Sequence, residues 1–574
     1  MRFISISIIS FLQLFVTLSL RAETLCGRFV TPNQITWTTS EKRTLCGSGD
    51  TPTWQNIPFN QAEFFFRSFL QSRGYHNPSF EKKDEKLIVR TGKLTEISRL
   101  RPLPERADLD LEKYWFPIGR PLTPDQLNDI EKWFTFKLGR LGYACPKLSM
   151  SADKETGEVL IQYEAGEHWT IEEIEGASIP QVEDGVLDRY RAFAVGDAYD
   201  PILLELSTNR LKDSQTVINT QYSPECAKKP SGTLRQTTLP GEPRLVTFGF
   251  GFDSENLATI RGSWRNSRLS RNASILDISG SLSYRQQTFL ASYDWYYLKN
   301  PGRHYLKNYI KAERDFEPTY ETRSIKTVTA PAYQMDIGSV KADMYAGPSL
   351  QFESTQRGEA PNATRLLTLD LGLNIQDHLY EYFLANPQTG YQANFFGSYS
   401  NKSTISDVSL AHYKIDFTYL WNVFNFDPTI WVLGFRGSFA TTQPGKGTRP
   451  DEVPASFKQF LGGSTDMRGF ARKNLPSEGT GSLTKEYLGI ELRLNNKLPW
   501  NLQPLAFIDT GKLGNEAFRV EPTLFYSPGI GLRWQSPIGT LRLSAAHGYV
   551  ENDKLNIYGD RTKMQYYFSL GEQF

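Results

Sequence analysis

The feature that most constrains the fold is an alternation of apolar and polar residues that starts near Leu245 and recurs to the end of the chain. In the first such segment, Val246, Phe248, Phe250 and Phe252 alternate with threonine and glycine. The same pattern returns in three later segments, residues 276–284, 289–295 and 488–494. A period of two predicts β-strands that each have one apolar and one polar face.

Two kinds of β-protein fit this pattern, a soluble sandwich and a membrane barrel. A sandwich would need one core shared by the whole C-terminal region, with aromatic residues at strand ends for no stated reason. A lipid-facing wall accounts for both features. Aromatic residues make up 13% of the chain, and no apolar stretch of about 18 residues follows residue 22, so no membrane helix is expected. We predict an antiparallel transmembrane β-barrel of about 16 strands.

The first 22 residues predict a cleaved secretory signal. Arg2 is followed by an apolar run from Phe3 to Leu20, and the small residue Ala22 comes directly before Glu23. The mature chain is therefore expected in an exported, oxidising compartment.

Cysteine usage agrees with export, because all four cysteines lie in the first 226 residues. We favour pairing Cys26 with Cys46 and Cys145 with Cys226. Four cysteines allow three connectivities, so the other two stay open.

Two short motifs recur before the barrel and predict tandem modules. Residues 70–78 reappear as residues 138–146, and residues 118–124 reappear as residues 195–201. Each module reads strand, helix, helix, strand, strand. The predicted divisions are an N-terminal segment at residues 23–46, modules at 47–93, 94–166 and 167–240, and a barrel at 241–574, with a turn-rich joint at residues 228–243.

The end of the chain predicts how the barrel closes. The predicted closing signal consists of Tyr566, Phe568, Leu570 and the terminal Phe574. Backbone groups in lipid must be paired, so the last strand is expected to close onto the first, near residues 246–252. Gly249 and Gly251 are expected to weaken that seam, because glycine offers no side chain to pack.

Three motifs carry a family resemblance: Gly462-Gly-Ser-Thr-Asp-Met-Arg-Gly-Phe470, Phe507-Ile-Asp-Thr-Gly511 and Gly529-Ile-Gly-Leu-Arg-Trp-Gln-Ser-Pro-Ile-Gly539. With them the chain resembles the superfamily of outer-membrane assembly and two-partner secretion barrels. The resemblance implies α+β polypeptide-transport-associated (POTRA) repeats in the periplasm, followed by the barrel in the bacterial outer membrane. Three such repeats favour the TamA family, the barrels of the translocation and assembly module.

In that superfamily the motif loop folds into the barrel, where its arginine meets acidic residues of the wall. The residues that the resemblance assigns to this loop lock are Arg468, Gly469, Phe470, Asp509 and Glu491. Glu491 falls on the lumen face of its strand. Asp509 lies two residues after Phe507, so the two side chains should point to the same face of the strand. Either Phe507 also faces inward or a bulge intervenes.

The expected function is to receive β-rich client proteins on the POTRA domains and to insert or export them through the barrel or its seam. The alternatives are secretion of one dedicated exoprotein and a passive porin. The expected surroundings are outer-membrane lipid and a TamB-like, periplasm-spanning partner anchored in the inner membrane.

Enzymes and nucleic-acid-binding proteins fit this sequence poorly. The chain has no Gly-x-Ser-x-Gly elbow, no His-Glu-x-x-His motif and no phosphate-binding glycine loop. Its net charge is +1, which argues against a nucleic-acid partner. No cofactor, metal or catalytic residue is predicted.

Overall fold

The computed structural model describes residues 23–31, 35, 37–48, 51–52, 58–176, 178–180, 182–183, 185–227, 232–298, 303–403, 405–476, 481–537, 539–553, 558 and 562–570. The predicted signal sequence, part of the predicted joint and Phe574 lie outside these ranges. The chain forms two compact units, residues 1–138 with 146–166 and residues 139–145 with 167–574. No helix in the described ranges is long and apolar enough to cross a membrane.

The first sheet lies at the start of the first unit. Its region contains β1 Glu23–Leu25, β2 Phe29–Thr31, α1 Thr39–Cys46, β3 Gly47–Ser48, β4 Thr51–Pro52, α2 Phe59–Ser72, β5 Ser79–Lys83 and β6 Lys86–Arg90. The strand order is β1-β2-β6-β5, and β3 and β4 form a separate hairpin. Because β2 pairs with β6, the segment predicted to stand apart at residues 23–46 shares a sheet with the first module, which starts before residue 47.

Helix α2 shows why the repeated motif matters. Its buried face consists of Ala62, Phe66 and Leu70, spaced four residues apart as one side of a helix requires. The helix ends before Gly74, which has a φ of +93°, and Gly142 of the second copy has a φ of +90°. The motif is therefore a helix stop, in which glycine takes the left-handed conformation.

The second sheet completes the first unit. Its elements are β7 Arg99–Leu103, α3 Pro124–Arg140, β8 Lys147–Ala152 and β9 Glu158–Glu164, and its strand order is β7-β9-β8. The first of the two predicted helices is replaced by two 3-10 turns, Ala107–Leu109 and Leu111–Lys113. Asp110 between them has a φ of +49°, a conformation that interrupts a helix.

The third sheet opens the second unit. Its elements are β10 Glu173–Glu175, a 3-10 turn Leu187–Tyr190, α4 Pro201–Asp213, β11 Val217–Pro224 and β12 Thr233–Pro240, in the order β10-β12-β11. Asp200 caps α4, accepting from the Ile202 N–H at 2.9 Å, and Pro201 occupies the first turn. This second motif is therefore a helix start. Strand β12 therefore occupies residues 233–240 of the joint predicted at residues 228–243, and residues 241–243 connect it to the next strand.

Two disulfides staple the N-terminal region. One joins Cys26 to Cys46 across 20 residues, and the other joins Cys145 to Cys226 across 81 residues.

A barrel follows the third sheet. Its strands are β13 Arg244–Asp253, β14 Leu257–Asn266, β15 Ile275–Ser283, β16 Gln286–Trp295, β17 His304–Phe316, β18 Glu321–Ile337, β19 Val340–Arg357, β20 Ala363–Asp377, β21 Gly390–Ser400, β22 Leu410–Val423, β23 Trp431–Pro444, β24 Thr484–Leu494, β25 Leu502–Gly514, β26 Leu524–Ser536, β27 Gly539–His547, β28 Tyr549–Glu551 and β29 Met564–Leu570. A short helix, α5 His378–Tyr382, lies between β20 and β21.

The barrel is closed and antiparallel, as predicted. Strands β27 and β28 both pair with β26 and are separated only by Gly548, so the described part of the barrel has 16 strand positions. As predicted, apolar side chains face outward and polar side chains face inward. On β20, Leu369 is 60% exposed on the outer face, whereas the neighbouring Asp370 is fully buried on the inner face. The predicted fold class is thus confirmed.

The two ends of the barrel differ. We call the end where β13 begins the proximal rim. We call the opposite end, which carries the long loop at residues 445–483, the distal rim.

Candidate functional site

The loop at residues 445–483 enters the barrel, where Arg468 meets the inner wall. The Nε and Nη2 atoms of Arg468 donate to the two carboxylate oxygens of Asp509 at 2.8 and 2.9 Å, and its backbone N–H donates at 3.2 Å. The third nitrogen, Nη1, donates to Glu491 Oε2 at 2.7 Å. Arg468 is 6% exposed and Asp509 is fully buried. One guanidinium thus bridges two neighbouring strands, β24 and β25.

The wall beneath this arginine is aromatic. The Arg468 Cζ atom lies 3.2 Å from the centre of the Phe507 ring, a cation–π contact. Strand β25 pairs with both neighbours without a register shift, so Phe507 and Asp509 face inward together and no bulge is needed. Tyr487 adds a hydrogen bond from its hydroxyl to Asp509 at 3.1 Å.

The residues after Arg468 fit the wall closely. A Cβ atom on Gly469 would lie 2.6 Å from the backbone nitrogen of Gly548, so only glycine fits there. Phe470 is fully buried and packs edge-on against Phe525. Its carbonyl accepts a hydrogen bond from the hydroxyl of Tyr567 on β29 at 2.6 Å.

Further contacts anchor the loop at the distal rim. Arg472 donates to Glu317 at 2.8 Å, and Lys473 lies 3.1 Å from the same carboxylate. Ser464 donates to Glu255, which follows β13. Sequence reasoning missed both glutamates, because they lie in turns where the alternation ends. The basic residues of the loop were the available sign that acidic partners exist.

The barrel closes at a seam between β13 and β29. Within the described residues the ladder contains two residue pairs there, Phe252 with Leu570 and Asp253 with Ser569. Just beyond them, the Ser254 N–H donates to the Phe568 carbonyl at 2.9 Å. By contrast, β13 is paired with β14 along its whole length. The seam is thus the least paired junction in the described wall.

Of the predicted closing residues, Tyr566, Phe568 and Leu570 lie on β29 at this seam, and Phe574 lies outside the described residues. Phe568 packs against Phe252 with ring centres 6.0 Å apart, and Tyr566 is 71% exposed on the outer face. Strand β13 itself is exposed on both faces from Arg244 to Phe250. Among the described residues, neither the loop nor the opposite wall therefore covers the inner face of this part of β13.

A cavity of about 270 Å³ lies inside the barrel beside the seam. It is lined by seam residues, by the Arg468–Glu491 pair and by several further arginines of the wall. The loop lock and the seam therefore share one inner space.

The third module docks on the proximal rim. Arg210 of α4 donates to both oxygens of Glu381 at 2.9 and 2.7 Å and to Asp336 at 2.9 Å. His378 also contacts Asp336, at 2.9 Å. Tyr382 donates to Glu205 of α4 at 2.8 Å.

Electrostatics strengthen this docking. Burial would raise the pKa of Glu381, but the hydrogen bonds and charge of Arg210 outweigh it and hold this pKa below its ordinary value. The carboxylate therefore stays charged at neutral pH. Because Arg210 is buried and the Glu381 side chain is only 12% exposed, removal of either would leave a poorly compensated charge.

A closed antiparallel barrel, preceded by small α/β modules and held from inside by an arginine-anchored loop, defines the structural class of this chain. Residues 244–574 match the Omp85 superfamily domain, which is more than half of the chain. The chain therefore belongs to the Omp85 superfamily, whose barrels are outer-membrane proteins.

Three solved structures are similar to this chain, and the first of them supports the fold. The crystal structure of BamA from Haemophilus ducreyi lacking POTRA domains 1–3 is 17% identical, covers 83% of this chain and 99% of that chain, and has a TM-score of 0.51. CdiB from Acinetobacter baumannii is 16% identical, covers 89% of this chain and 97% of that chain, and has a TM-score of 0.43. CdiB from Escherichia coli is 13% identical, covers 88% of this chain and 95% of that chain, and has a TM-score of 0.45.

These findings confirm the predicted superfamily and do not support the porin alternative. The family's members are assembly and transport proteins, not enzymes. Among the described residues, no group of three or more His, Cys, Asp or Glu is arranged to hold a metal ion.

Proposed function

We propose that the protein is an outer-membrane assembly factor that receives β-rich client proteins and inserts or exports them through the barrel or its seam. The observation that carries this proposal is the seam, where the described ladder contains only two residue pairs. An edge of free N–H and C=O groups is a template for another strand. Strand addition uses the main chain, so it tolerates clients of many sequences.

The outer face of β13 supports release of a client into outer-membrane lipid. Phe248 and Phe250 are 85% and 71% exposed there. A client strand that adds to this edge keeps its backbone paired while its own apolar face meets lipid. That combination is what a strand needs in order to remain in a bilayer.

The N-terminal sheets, which we place in the periplasm, supply further strand edges for clients. Strand β8 is an edge of the second sheet, and its residues alternate between exposed and half-buried. Strand β11 is an edge of the third sheet. We assign the three sheets to three POTRA domains that hand extended client segments toward the proximal rim.

Within the superfamily, three α/β sheets before the barrel favour the TamA family. This assignment adds a TamB-like partner that spans the periplasm from the inner membrane. Purification of the protein after crosslinking in cells tests it. Recovery of a large inner-membrane-anchored protein supports the assignment, and recovery of a single secreted exoprotein would place the protein among two-partner secretion transporters.

The seam proposal is tested with a photo-crosslinking amino acid at Phe250. The matched control carries the same residue at Leu369 on β20, which is similarly exposed on the outer face but lies in a continuous ladder. In cells exporting newly made barrel proteins, we expect client adducts at residue 250 and few at residue 369.

Equal client labelling at the two positions would contradict the seam proposal, because it would show contact through lipid or by collision. Adducts with one exoprotein alone would favour dedicated secretion. Both variants are first checked for a folded barrel by heat-modifiable migration in gels.

A further inference from the structure

A groove of about 910 Å³ lies on the outer wall of the barrel, across strands β16 to β20 and close to the distal rim. Its apolar floor contains Phe289, Ile325 and Phe352, which are 50%, 55% and 55% exposed. The register places them in one row, since Phe289 lies opposite Ala312, Ala312 opposite Ile325, and Ile325 opposite Phe352. The small Ala312 leaves a depression between its larger neighbours, which suits a slim apolar chain.

The row of the floor ends at a cation, because Phe352 lies opposite Arg365 of β20. Further from the distal rim, the outward positions of β20 include Leu367, Leu369 and Leu371, which are 36%, 60% and 44% exposed. Arg365 is the next outward residue toward the rim. The apolar band that faces lipid therefore ends between residues 367 and 365, at the level where acyl chains give way to headgroups.

A second arginine stands at the same end of the groove. Arg323 is the next outward residue of β18 beyond Ile325, is exposed, and lies directly opposite Arg314 of β17. Arg314 donates to Glu321 at 2.9 Å, which offsets its charge. Within the described part of the chain, no carboxylate forms an ion pair with Arg323. Like charges directly opposite each other destabilise a sheet, so an anion at Arg323 would relieve this repulsion.

The carboxylates that border the groove do not block it. Asp407 accepts from the Nε and Nη2 atoms of Arg365 at 3.4 and 2.9 Å, in a pair whose side chains are 36% and 56% exposed. Arginine has five N–H donors, so Arg365 can donate to a second anion as well. Glu313 and Glu353 alternate to the inner face, where Glu353 accepts from the N–H of Ser456 in the loop.

We infer that this groove binds a lipid whose headgroup carries phosphate, with Arg323 and Arg365 at the phosphate and acyl chains over Ile325 and Phe352. Arginine suits this role, because its planar fork matches the geometry of phosphate. The inference goes beyond the proposed function and shares with it the periplasmic placement of the N-terminal sheets, which turns the distal rim toward the outer leaflet.

A lipid is favoured over other occupants by the arrangement of charge and apolar surface. Free phosphate would contact the arginines and leave the apolar floor uncovered. A protein partner is not required, because the floor continues into the lipid-facing band of β20. Clusters of basic residues beside an apolar membrane surface are a recurring form of lipid recognition.

The test uses full-length protein in detergent and lipid A, an acylated glucosamine disaccharide with two phosphates, as the probe. Native mass spectrometry measures lipid A bound during a titration of the parent, of Arg323→Gln/Arg365→Gln and of Arg449→Gln/Arg519→Gln. The last variant is the control, because it removes the same charge from exposed ion pairs in loops of the distal rim. Two further probes are lipid A without its phosphates and inorganic phosphate.

We expect the affinity for the first lipid A molecule to fall about tenfold in Arg323→Gln/Arg365→Gln and to stay unchanged in the control, since each basic residue beside a headgroup phosphate contributes to binding. Lipid A without phosphates should bind all three proteins alike, and more weakly than lipid A binds the parent. Both groove arginines are exposed, so the unfolding midpoint should stay near that of the parent. If the double variant is unstable, Arg323→Gln alone replaces it, because this change breaks no ion pair among the described residues.

Four outcomes overturn the inference. The first two are equal binding of lipid A by all three proteins and equal binding of both lipid forms by the parent, because either would show contact through the acyl chains alone. If inorganic phosphate displaces lipid A at matched concentration, the site binds phosphate and the lipid assignment is wrong. The assignment is also wrong if a second protein chain is bound to the parent and lost from Arg323→Gln/Arg365→Gln. Client crosslinking at residue 250 tests the proposed function separately.

Discussion

Two junctions of the same barrel wall, β19–β20 and β13–β29, differ sharply in how they are held. The first has paired residues from Val340–Asp377 to Ser354–Ala363, and its side chains alternate strictly between exposed and buried over most of β20. The second has two residue pairs within the described chain. Backbone pairing is what keeps a strand in lipid, so the difference concentrates the capacity for opening at one place.

The loop lock compensates for this difference from inside the barrel. Phe470 is bonded to Tyr567 on β29, and Ser464 is bonded to Glu255, which directly follows β13. The loop thus reaches both sides of the seam, while Arg468 ties it to β24 and β25. Hydrogen bonds of the loop thus connect the two sides of the seam where the described backbone pairing is sparse.

The largest effect is expected when the seam is closed covalently. In Phe252→Cys/Leu570→Cys, bridged by a short bifunctional thiol reagent, we expect client insertion to fall at least about tenfold, because a paired edge no longer accepts strands. The readout is insertion of an unfolded barrel client into proteoliposomes. All four native cysteines are in disulfides, so the reagent finds only the introduced pair.

The matched control is Leu350→Cys/Leu367→Cys, a directly opposed pair that is also exposed on the outer face, but within β19–β20. Bridging it should leave insertion unchanged. If both bridges stop insertion, a general expansion of the barrel is required and the contrast between the junctions is wrong.

The second effect concerns the lock. Arg468→Ala leaves Asp509 buried without its cationic partner, and breaking a buried pair in this way destabilises by about 3–5 kcal/mol. We expect a lower unfolding midpoint, and a loss of activity that exceeds any loss of protein in the membrane. Arg519→Ala removes an exposed pair and should cost about 0–1 kcal/mol. An Arg468→Ala variant that is fully active at normal abundance would exclude the lock.

The smallest expected effect is a change in stability when glycine is replaced by alanine at either of two positions. Gly469→Ala places a methyl group against the backbone of Gly548 and should destabilise by about 1–3 kcal/mol through overpacking. Gly249→Ala on β13 meets its nearest atom at 4.0 Å and should be neutral or slightly stabilising. Denaturant unfolding in detergent measures both. A larger loss at residue 249 would mean that the seam is packed more tightly than its pairing suggests.

The barrel was well predicted because lipid requires an apolar outer face on every strand. The resulting alternation is therefore visible in separate segments such as residues 246–252 and 488–494. The N-terminal sheets were less well predicted. Strand β2 is three residues long, too short for a period to be visible, and its parallel pairing with β6 depends on the folded chain. Likewise, Arg533 stands in a recognisable motif, but only the register reveals that Arg542 lies directly opposite it.

The hydrogen bond from Tyr567 to Phe470 makes closure of the barrel depend on the position of the loop. Tyr567 stands on β29 and Phe470 lies almost one hundred residues earlier, so this bond can form only when the loop lies in its inward position. The break between β27 and β28 at Gly548 adds the same condition, because Gly469 occupies the space beside it. The strands that close the described barrel therefore fit only when the loop is correctly placed. We expect a barrel whose loop is misplaced to fail to close.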